Sequence, residues 1–246
     1  MKIDKRRTYI CDLDTETANT MTNPDGTLNM DDVLMYDCGW QMMDKHNNVY
    51  LQRSYVNADI FLDEKKLMQS AYYAKKIPQY EKEIKSGKRI LATTLTIRKQ
   101  MLEDMRMFNC KIVCAHNARF DKNALDKTLR YVTKSKFRYW FPKDVVWWDT
   151  LKMSRDVIHK MPTFRKWCEK YNMFTATGNL KATAEVLYSF ISKNPNFTEA
   201  HTGLEDVEIE GHILAYCFRQ HKKMRKGLYE KWTEPRKNFW DLVAEL

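Results

Sequence analysis

Near its start the chain sets Asp12, Asp14 and Glu16 at every second position, interleaved with Cys11 and Leu13. Side chains alternate faces along an extended strand, so the three carboxylates share one side and Cys11 and Leu13 the other. Acids gathered on one face of a core strand repel one another unless cations neutralise them. The competing description is a strand that ends at Asp14, with the remaining acids in a turn. A second misplaced acid is Asp121. The apolar stripe Leu125, Leu129 and Val132 passes through it one helical turn earlier. With Asn117 as N-cap, Asp121 falls in the first turn, where a carboxylate also suits the helix dipole. A third group is His201-Thr202-Gly203-Leu204-Glu205-Asp206. Thr202 and Glu205 have capping-box spacing, which starts a helix just after Thr202 with Leu204, Val207, Gly211 and Leu214 on its apolar face. On one helix His201 and Asp206 would lie about 140° apart. In the preceding loop His201 can instead fold back toward Asp206.

Four carboxylates without cysteine ligands suit a hard cation such as Mg²⁺ or Mn²⁺. Two such ions about 3.5–4 Å apart are the usual arrangement for in-line phosphodiester cleavage. The elements that must position these groups can be read from patterning. Thr8–Asp14 reads as a strand, followed by a polar stretch with an Asn23-Pro24-Asp25-Gly26 turn. Val33–Met43 and Val49–Val56 are β-rich runs around Asp44–Asn48, a hairpin pattern. Leu62–Phe108 is Lys-rich and helical, with Ile97, Met101, Met105 and Phe108 on one face. Lys111–Ala115 and Val145–Trp148 are short strands, each leading into a helix: Ala118–Val132 after the first, and one capped by Asp149 or Thr150 after the second. Further helices are expected over Thr163–Tyr171, Thr183–Ile191 and Leu204–Gln220. A hairpin followed by strand–helix alternation predicts a mixed α/β sheet, with the acids at strand ends and helix starts where such sheets build sites.

The 246 residues include 11 Phe, 7 Trp and 13 Tyr and are 43% hydrophobic, enough for a sizeable core and too many for general disorder. Forty-two Lys and Arg against 32 Asp and Glu give a net charge of +10, which fits either a solvated surface or a polyanionic partner. The six cysteines contain no C-x-x-C pair, and Cys11, Cys38, Cys114 and Cys217 sit in apolar runs, so reduced core residues are expected. The longest apolar run, Ile213–Phe218, is far short of a membrane span. The basic start (Lys2, Lys5, Arg6, Arg7) leads into no signal-peptide core. The expectation is a soluble, cytoplasmic protein with no membrane partner. Lys127–Trp140 mixes Arg130, Lys134, Lys136 and Arg138 with Tyr131, Phe137, Tyr139 and Trp140, which suits a single-stranded nucleic acid track or a basic amphipathic helix.

Asp14-Thr15-Glu16-Thr17, His116-Asn117-Ala118-Arg119-Phe120-Asp121 and His201-x4-Asp206 resemble, in order and spacing, the three motifs of the DEDDh (DnaQ-like) 3′–5′ exonucleases. That family includes the proofreading subunit of bacterial replicative DNA polymerase and RNase T. Asp149-Thr150-Leu151 resembles a further family feature outside the metal site, and the resemblance runs over roughly Thr8–Gln220. It implies a ribonuclease H-like fold: a mixed five-stranded sheet, antiparallel hairpin strands plus parallel ones, flanked by helices. The exonuclease domain would be residues 1–220. Residues 221–246 would form a basic extension ending in Phe239, Trp240, Leu242 and Val243, packed on the same domain or docked on a partner. By resemblance Asp14, Glu16 and Asp206 hold one Mg²⁺ or Mn²⁺, and Asp14 with Asp121 a second. Glu16 and His201 are the catalytic pair, with His201 as general base. Thr15, Thr17, Asn117 and Phe120 are candidate substrate contacts, although Phe120 equally suits core packing. The substrate implied is DNA at single-stranded or frayed 3′ ends. RNA trimming and a silent binding or polymerase-accessory role are the alternatives, and a polymerase or replication partner is possible. Two departures are Ala18-Asn19, where the family often has Thr-Gly, and a longer, more basic Leu62–Thr96 stretch. Asp12-x-Asp14 is the alternative metal pair; the threonines flanking Glu16 favour Asp14-x-Glu16.

Overall fold

The computed structural model describes residues 3–4, 6–18, 33–70 and 74–231. The Asn23–Gly26 turn, Asn19 and the apolar end after Phe239 lie outside the described residues. Strand β1 (Ile10–Ala18) pairs antiparallel with β2 (Leu34–Met43), which returns through the Asp44–Asn48 turn to β3 (Val49–Asn57). Asp44 Oδ1 accepts from the amides of His46 (2.9 Å) and Asn48 (3.2 Å), and Asn47 adopts the left-handed φ of 63° that such a turn needs. Short helices α1 (Ala58–Phe61) and α2 (Lys65–Ser70) and a 3₁₀ turn (Ala74–Lys76) lead to α3 (Ile77–Lys85). Strand β4 (Ile90–Ala92) follows, then α4 (Thr94–Met107), β5 (Ile112–Ala115), α5 (Arg119–Thr133), β6 (Val146–Asp149) and α6 (Thr150–Asp156). Helices α7 (Pro162–Tyr171), α8 (Ala184–Ser192) and α9 (Gly203–Arg219) complete the described fold.

The sheet order is β4-β3-β2-β1-β5-β6, with β4, β5 and β6 each parallel to its neighbour. It is a mixed α/β sheet of six strands, one more than the five expected. The added edge strand, β4, is three half-exposed residues inside the Lys-rich stretch, too short and too wet to show an alternation. One sheet face buries Cys11, Leu13 and Trp40 against Met101, Met105, Leu125 and Leu129 of α4 and α5. The other buries Ile10, Met43 and Cys114 against Phe164, Leu187, Ile213 and Leu214 of α7, α8 and α9. All six cysteines are free and buried. Among the described residues no helix is long and apolar enough to cross a membrane.

Candidate metal centre and active site

The second face of β1 carries the acids, and α9 descends onto it. The approach is a glycine-on-glycine contact: a Cβ on Gly39 of β2 would meet Leu204 N at 2.2 Å, and one on Gly203 would meet Gly39 N at 2.6 Å. No side chain fits between the strand and the helix start, so the first turn of α9 presses Asp206 against β1. Donor atoms of Glu16, His201 and Asp206 all lie within 4.8 Å of one another.

The helix begins where the spacing predicts, with Thr202 as N-cap, but the capping box does not form. Thr202 Oγ1 donates instead to Glu205 Oε2 (2.8 Å). The Asp206 carboxylate accepts from the amides of His201 (3.2 Å) and Thr202 (2.9 Å), and Asp37 of β2 accepts from Gly203 N (2.9 Å). A local acid, Asp206, and a distant one, Asp37, do the capping work between them. His201 stands in the preceding loop at a left-handed φ of 50°, its side chain 38% exposed.

Asp121 lies in the first turn of α5, buried, and its Oδ1 accepts from both the amide (3.0 Å) and the hydroxyl (2.9 Å) of Thr15. Thr15 thereby fastens α5 to β1, and its hydroxyl is spent on that contact. Asn117 is not the N-cap of this helix, which starts at Arg119 after Ala118. It is an exposed turn residue at φ 66°, with its amide donating to Asp149 Oδ1 (3.1 Å). The same Asp149 oxygen caps α6 through Leu151 N (3.0 Å). Asp149 thus ties the second motif to the strand that follows it. His116 is enclosed, with Nδ1 at 2.9 Å from Thr150 Oγ1 and Nε2 at 2.8 Å from Ala182 O.

Asp14, Glu16, Thr15, Thr17, Asn117, Phe120, His201 and Asp206 line one open cleft of about 660 Å³. Phe120 is half-buried at its wall, and Asp121 lies behind Thr15 rather than among the lining residues. Asp12 is fully buried outside the cleft, accepting from Gln41 Nε2 (3.3 Å) while its Oδ1 has no partner. That geometry selects Asp14-x-Glu16 over Asp12-x-Asp14 as the cleft-facing pair.

The acids carry each other's charge poorly. Burial, then the charges of Asp121, Glu16 and Asp206, pushes Asp14 far above the usual carboxylate range. Burial and Asp206 do the same to Glu16, with Lys76 pulling the other way. Burial, then Glu199, raises Asp206 to about 8. Burial raises Asp121 to about 7 against the pull of Thr15. Burial and nearby Lys76 lower His201, which leaves the imidazole neutral near pH 7. Among the described residues no Lys or Arg forms an ion pair with Asp14, Glu16, Asp121 or Asp206. A dense all-oxygen set short of positive charge is a donor set for a hard divalent cation.

Two further acids line the cleft. Glu210, one turn beyond Asp206 and buried, accepts from His116 N (3.0 Å). Its signal was present: an acid beside Val207, Gly211 and Leu214 on a buried helix face. Glu199 Oε2 lies 3.8 Å from His201 Nδ1, in a loop whose sequence carries no periodic signal.

No protein-family model and no curated protein matches this sequence. Solved structures match it by shape. A full-length 3′-exonuclease superposes at TM-score 0.53 with 10% identity, over 89% of this chain and 85% of that one. The nuclease domain of 3′hExo, a DEDDh family member bound to rAMP, gives 0.51 and 11%, over 91% and 98%. E. coli ExoI, in a zinc-bound complex with single-stranded DNA, gives 0.51 and 12%, over 88% of this chain and 42% of that one. This chain therefore spans less than half the length of the ExoI chain. The fold, a mixed α/β sheet flanked by helices, is the one these exonuclease structures share.

Proposed function

We propose that the chain is a divalent-metal-dependent 3′–5′ exonuclease that hydrolyses DNA phosphodiester bonds at single-stranded or frayed 3′ ends and releases nucleoside 5′-monophosphates. The observation that carries this reading is the convergence of Asp14, Glu16, Asp206 and His201 on one cleft of an exonuclease fold, with no ion pair from Lys or Arg to these acids among the described residues. Asp14, Glu16 and Asp206 would hold one Mg²⁺ or Mn²⁺, and Asp14 with Asp121 a second, Asp121 acting through water because Thr15 occupies its Oδ1. Bound there, such ions lower the pKa of water and offset charge at the scissile phosphate and the leaving 3′-oxygen.

The chain's own groups do the rest. His201, neutral and half-exposed at the rim, takes the proton of the attacking water. Its loop is held in place by Asp206 through the His201 and Thr202 amides, and by Lys76 Nζ, which donates to His201 O (3.2 Å). Phe120 offers a ring against the terminal base, and Thr17 and Asn117 line the same cleft for sugar or phosphate contact. We take residues 1–220 as the exonuclease unit and 221–246 as an extension, of which the described part, 221–231, packs on it. Leu228 supports that packing: it is buried, and its amide donates to Trp147 O (2.9 Å).

The test is a gel of 5′-labelled single-stranded DNA incubated with the protein in Mn²⁺ or in EDTA. The expected result is a ladder that shortens from the 3′ end in Mn²⁺, missing in EDTA and with Asp14→Ala. Shortening of RNA but not DNA would move the reading to an exoribonuclease. Intact DNA and RNA in Mn²⁺ would reject unaided cleavage and leave a binding or accessory role.

A further inference from the structure

The segment between α5 and β6 is rigid where its side chains are wet. Arg130 Nε donates to Arg138 O (2.9 Å), Arg98 Nε to Trp140 O (2.7 Å), and Trp140 N to Asp126 Oδ1 (2.7 Å). Trp140 is fully buried and anchors the segment. Phe137 nevertheless stands 88% exposed and Tyr139 52%, and Tyr229, on the 227–230 turn, is 68% exposed. Flexible tails often expose aromatic rings, but rings held in water on a fixed backbone mark a contact surface.

Tyr139 and Tyr229 border one groove of about 580 Å³, with Phe141 and Trp147 on its walls and Lys122 and Lys143 at its edge. Arg130 lies over the Tyr139 ring, 4.6 Å from its centre. The two carboxylates in the groove are committed. Asp126 pairs with Lys122 (3.1 Å), and Glu230 accepts from the amides of Lys226 (2.8 Å) and Gly227 (2.9 Å). The groove and the acidic cleft draw on the first turns of the same two helices, α5 and α6. Phe120 lines the cleft and Lys122, two residues on, lines the groove. Leu151 lines the cleft, and the adjacent Lys152 holds the groove's far wall by donating to Gly227 O (3.4 Å) and Glu230 O (3.2 Å).

We propose that this groove binds the unpaired nucleotides upstream of the 3′ end, with Tyr139 and Tyr229 as stacking faces and Lys143 and Arg130 facing the phosphates. The inference rests on the exonuclease reading for the strand's direction. It adds where the upstream part of that single strand lies, several nucleotides from the 3′ end, because bases closed in a duplex have no faces to offer the two rings. Stacking of this kind tolerates any base, as an enzyme that removes every nucleotide in turn requires.

The test is a Tyr139→Ala, Tyr229→Ala double variant, both positions being exposed and outside the cleft. In EDTA, where no cleavage interferes, fluorescence anisotropy follows binding of a labelled thymidine oligomer of about 12 nucleotides. The expected loss of affinity is about 5- to 150-fold per ring, the range for a base stacked on an aromatic side chain. In Mn²⁺ the KM for the oligomer should rise while turnover of a dinucleotide stays as in wild type. Unchanged oligomer affinity overturns the proposal. If that comes with a lowered melting temperature, the groove is filled by another segment of this chain. Wild-type affinity for a blunt duplex equal to that for the oligomer would also overturn it. Binding through the groove without cleavage in Mn²⁺ would refute the exonuclease reading and not the groove.

Discussion

Glu16 and Asp37 face each other across β1 and β2, yet their surroundings differ completely. Asp37 accepts from Tyr80 OH (2.7 Å) and Gly203 N (2.9 Å) and pairs with Arg89 (3.2 Å). Arg89, only 1% exposed, goes on to Glu83 (2.5 Å), Glu205 (2.8 Å) and Ser54 (2.9 Å). Burial still holds Asp37 up, but Glu205 falls to about 2 because hydrogen bonds from Lys88 and Thr202 and the charge of Arg89 outweigh its burial. On the other side, Asp14, Glu16, Asp121 and Asp206 are all driven upward by burial first, and then by neighbouring acids: Asp14 by Asp121, Glu16 and Asp206, Glu16 by Asp206, Asp121 by Asp149 and Asp206 by Glu199. One strand pair thus meets the cost of buried acids in two ways. Where an arginine of the chain supplies the charge, the acids become a joint between β2, α9 and the Leu62–Thr96 stretch. Where no arginine among the described residues does so, the acids stay close together with only Lys76 pulling on Glu16 and Asp206, and under the proposed function a bound divalent ion supplies the balance. The Leu62–Thr96 stretch thereby acquires a purpose: its Lys76, Lys88 and Arg89 hold the loop and first turn that carry His201 and Asp206, and its Tyr80 holds Asp37, which takes the Gly203 amide.

Substitutions on the two sides should therefore fail differently. Asp14→Ala is expected to bring cleavage to background while leaving the circular dichroism spectrum intact, because it removes a repelled acid. Wild-type cleavage by that variant would sink the site. His201→Ala should slow turnover by about 10²–10⁴-fold, the range for a positioned base, as read by single-turnover kinetics. Arg89→Met should act on stability first, costing about 3–5 kcal/mol in chemical denaturation by stranding Asp37. A variant as stable as wild type would show that Arg89 is not the joint. Lys88→Ala, which removes a half-exposed lysine from Glu83 and Glu205, should cost no more than about 1 kcal/mol.

The gathering of Asp14, Glu16, His201 and Asp206 on one cleft was legible in the sequence because it depends on residue types at fixed short spacings. Asp14-x-Glu16, Asp121 in a first turn and His201 ahead of Asp206 all fall where strand and helix periodicity put them. What escaped depends on partners far along the chain. Asn117 and the Thr202–Glu205 pair have the local pattern of caps, but Asn117 gives its amide to Asp149, and Asp37 takes up the Gly203 amide at the start of α9. Arg89 sits in a run of lysines, and nothing local separates a buried arginine from an exposed one. The Lys127–Trp140 interleaving was visible, but which rings face water was not: Trp140 is core, and Phe137 and Tyr139 are not.

The central claim, that the cleft lacks a cation which a divalent ion supplies, is tested most directly by thermal unfolding of wild type and Asp14→Ala, with Mn²⁺ or EDTA, across pH. In the metal-free fold Asp206 and Asp121 keep protons up to about 8 and about 7, against an ordinary 3.8 when unfolded. The folded state then binds more protons than the unfolded one across that window. Their contribution is full below an ordinary carboxylate pKa and is lost as pH rises through the folded values. The melting temperature in EDTA should fall between about pH 5 and pH 8, Mn²⁺ should recover it most at the upper end, and Asp14→Ala should blunt both effects. A melting temperature in EDTA that holds or rises toward pH 8, with no gain from Mn²⁺, would contradict the account.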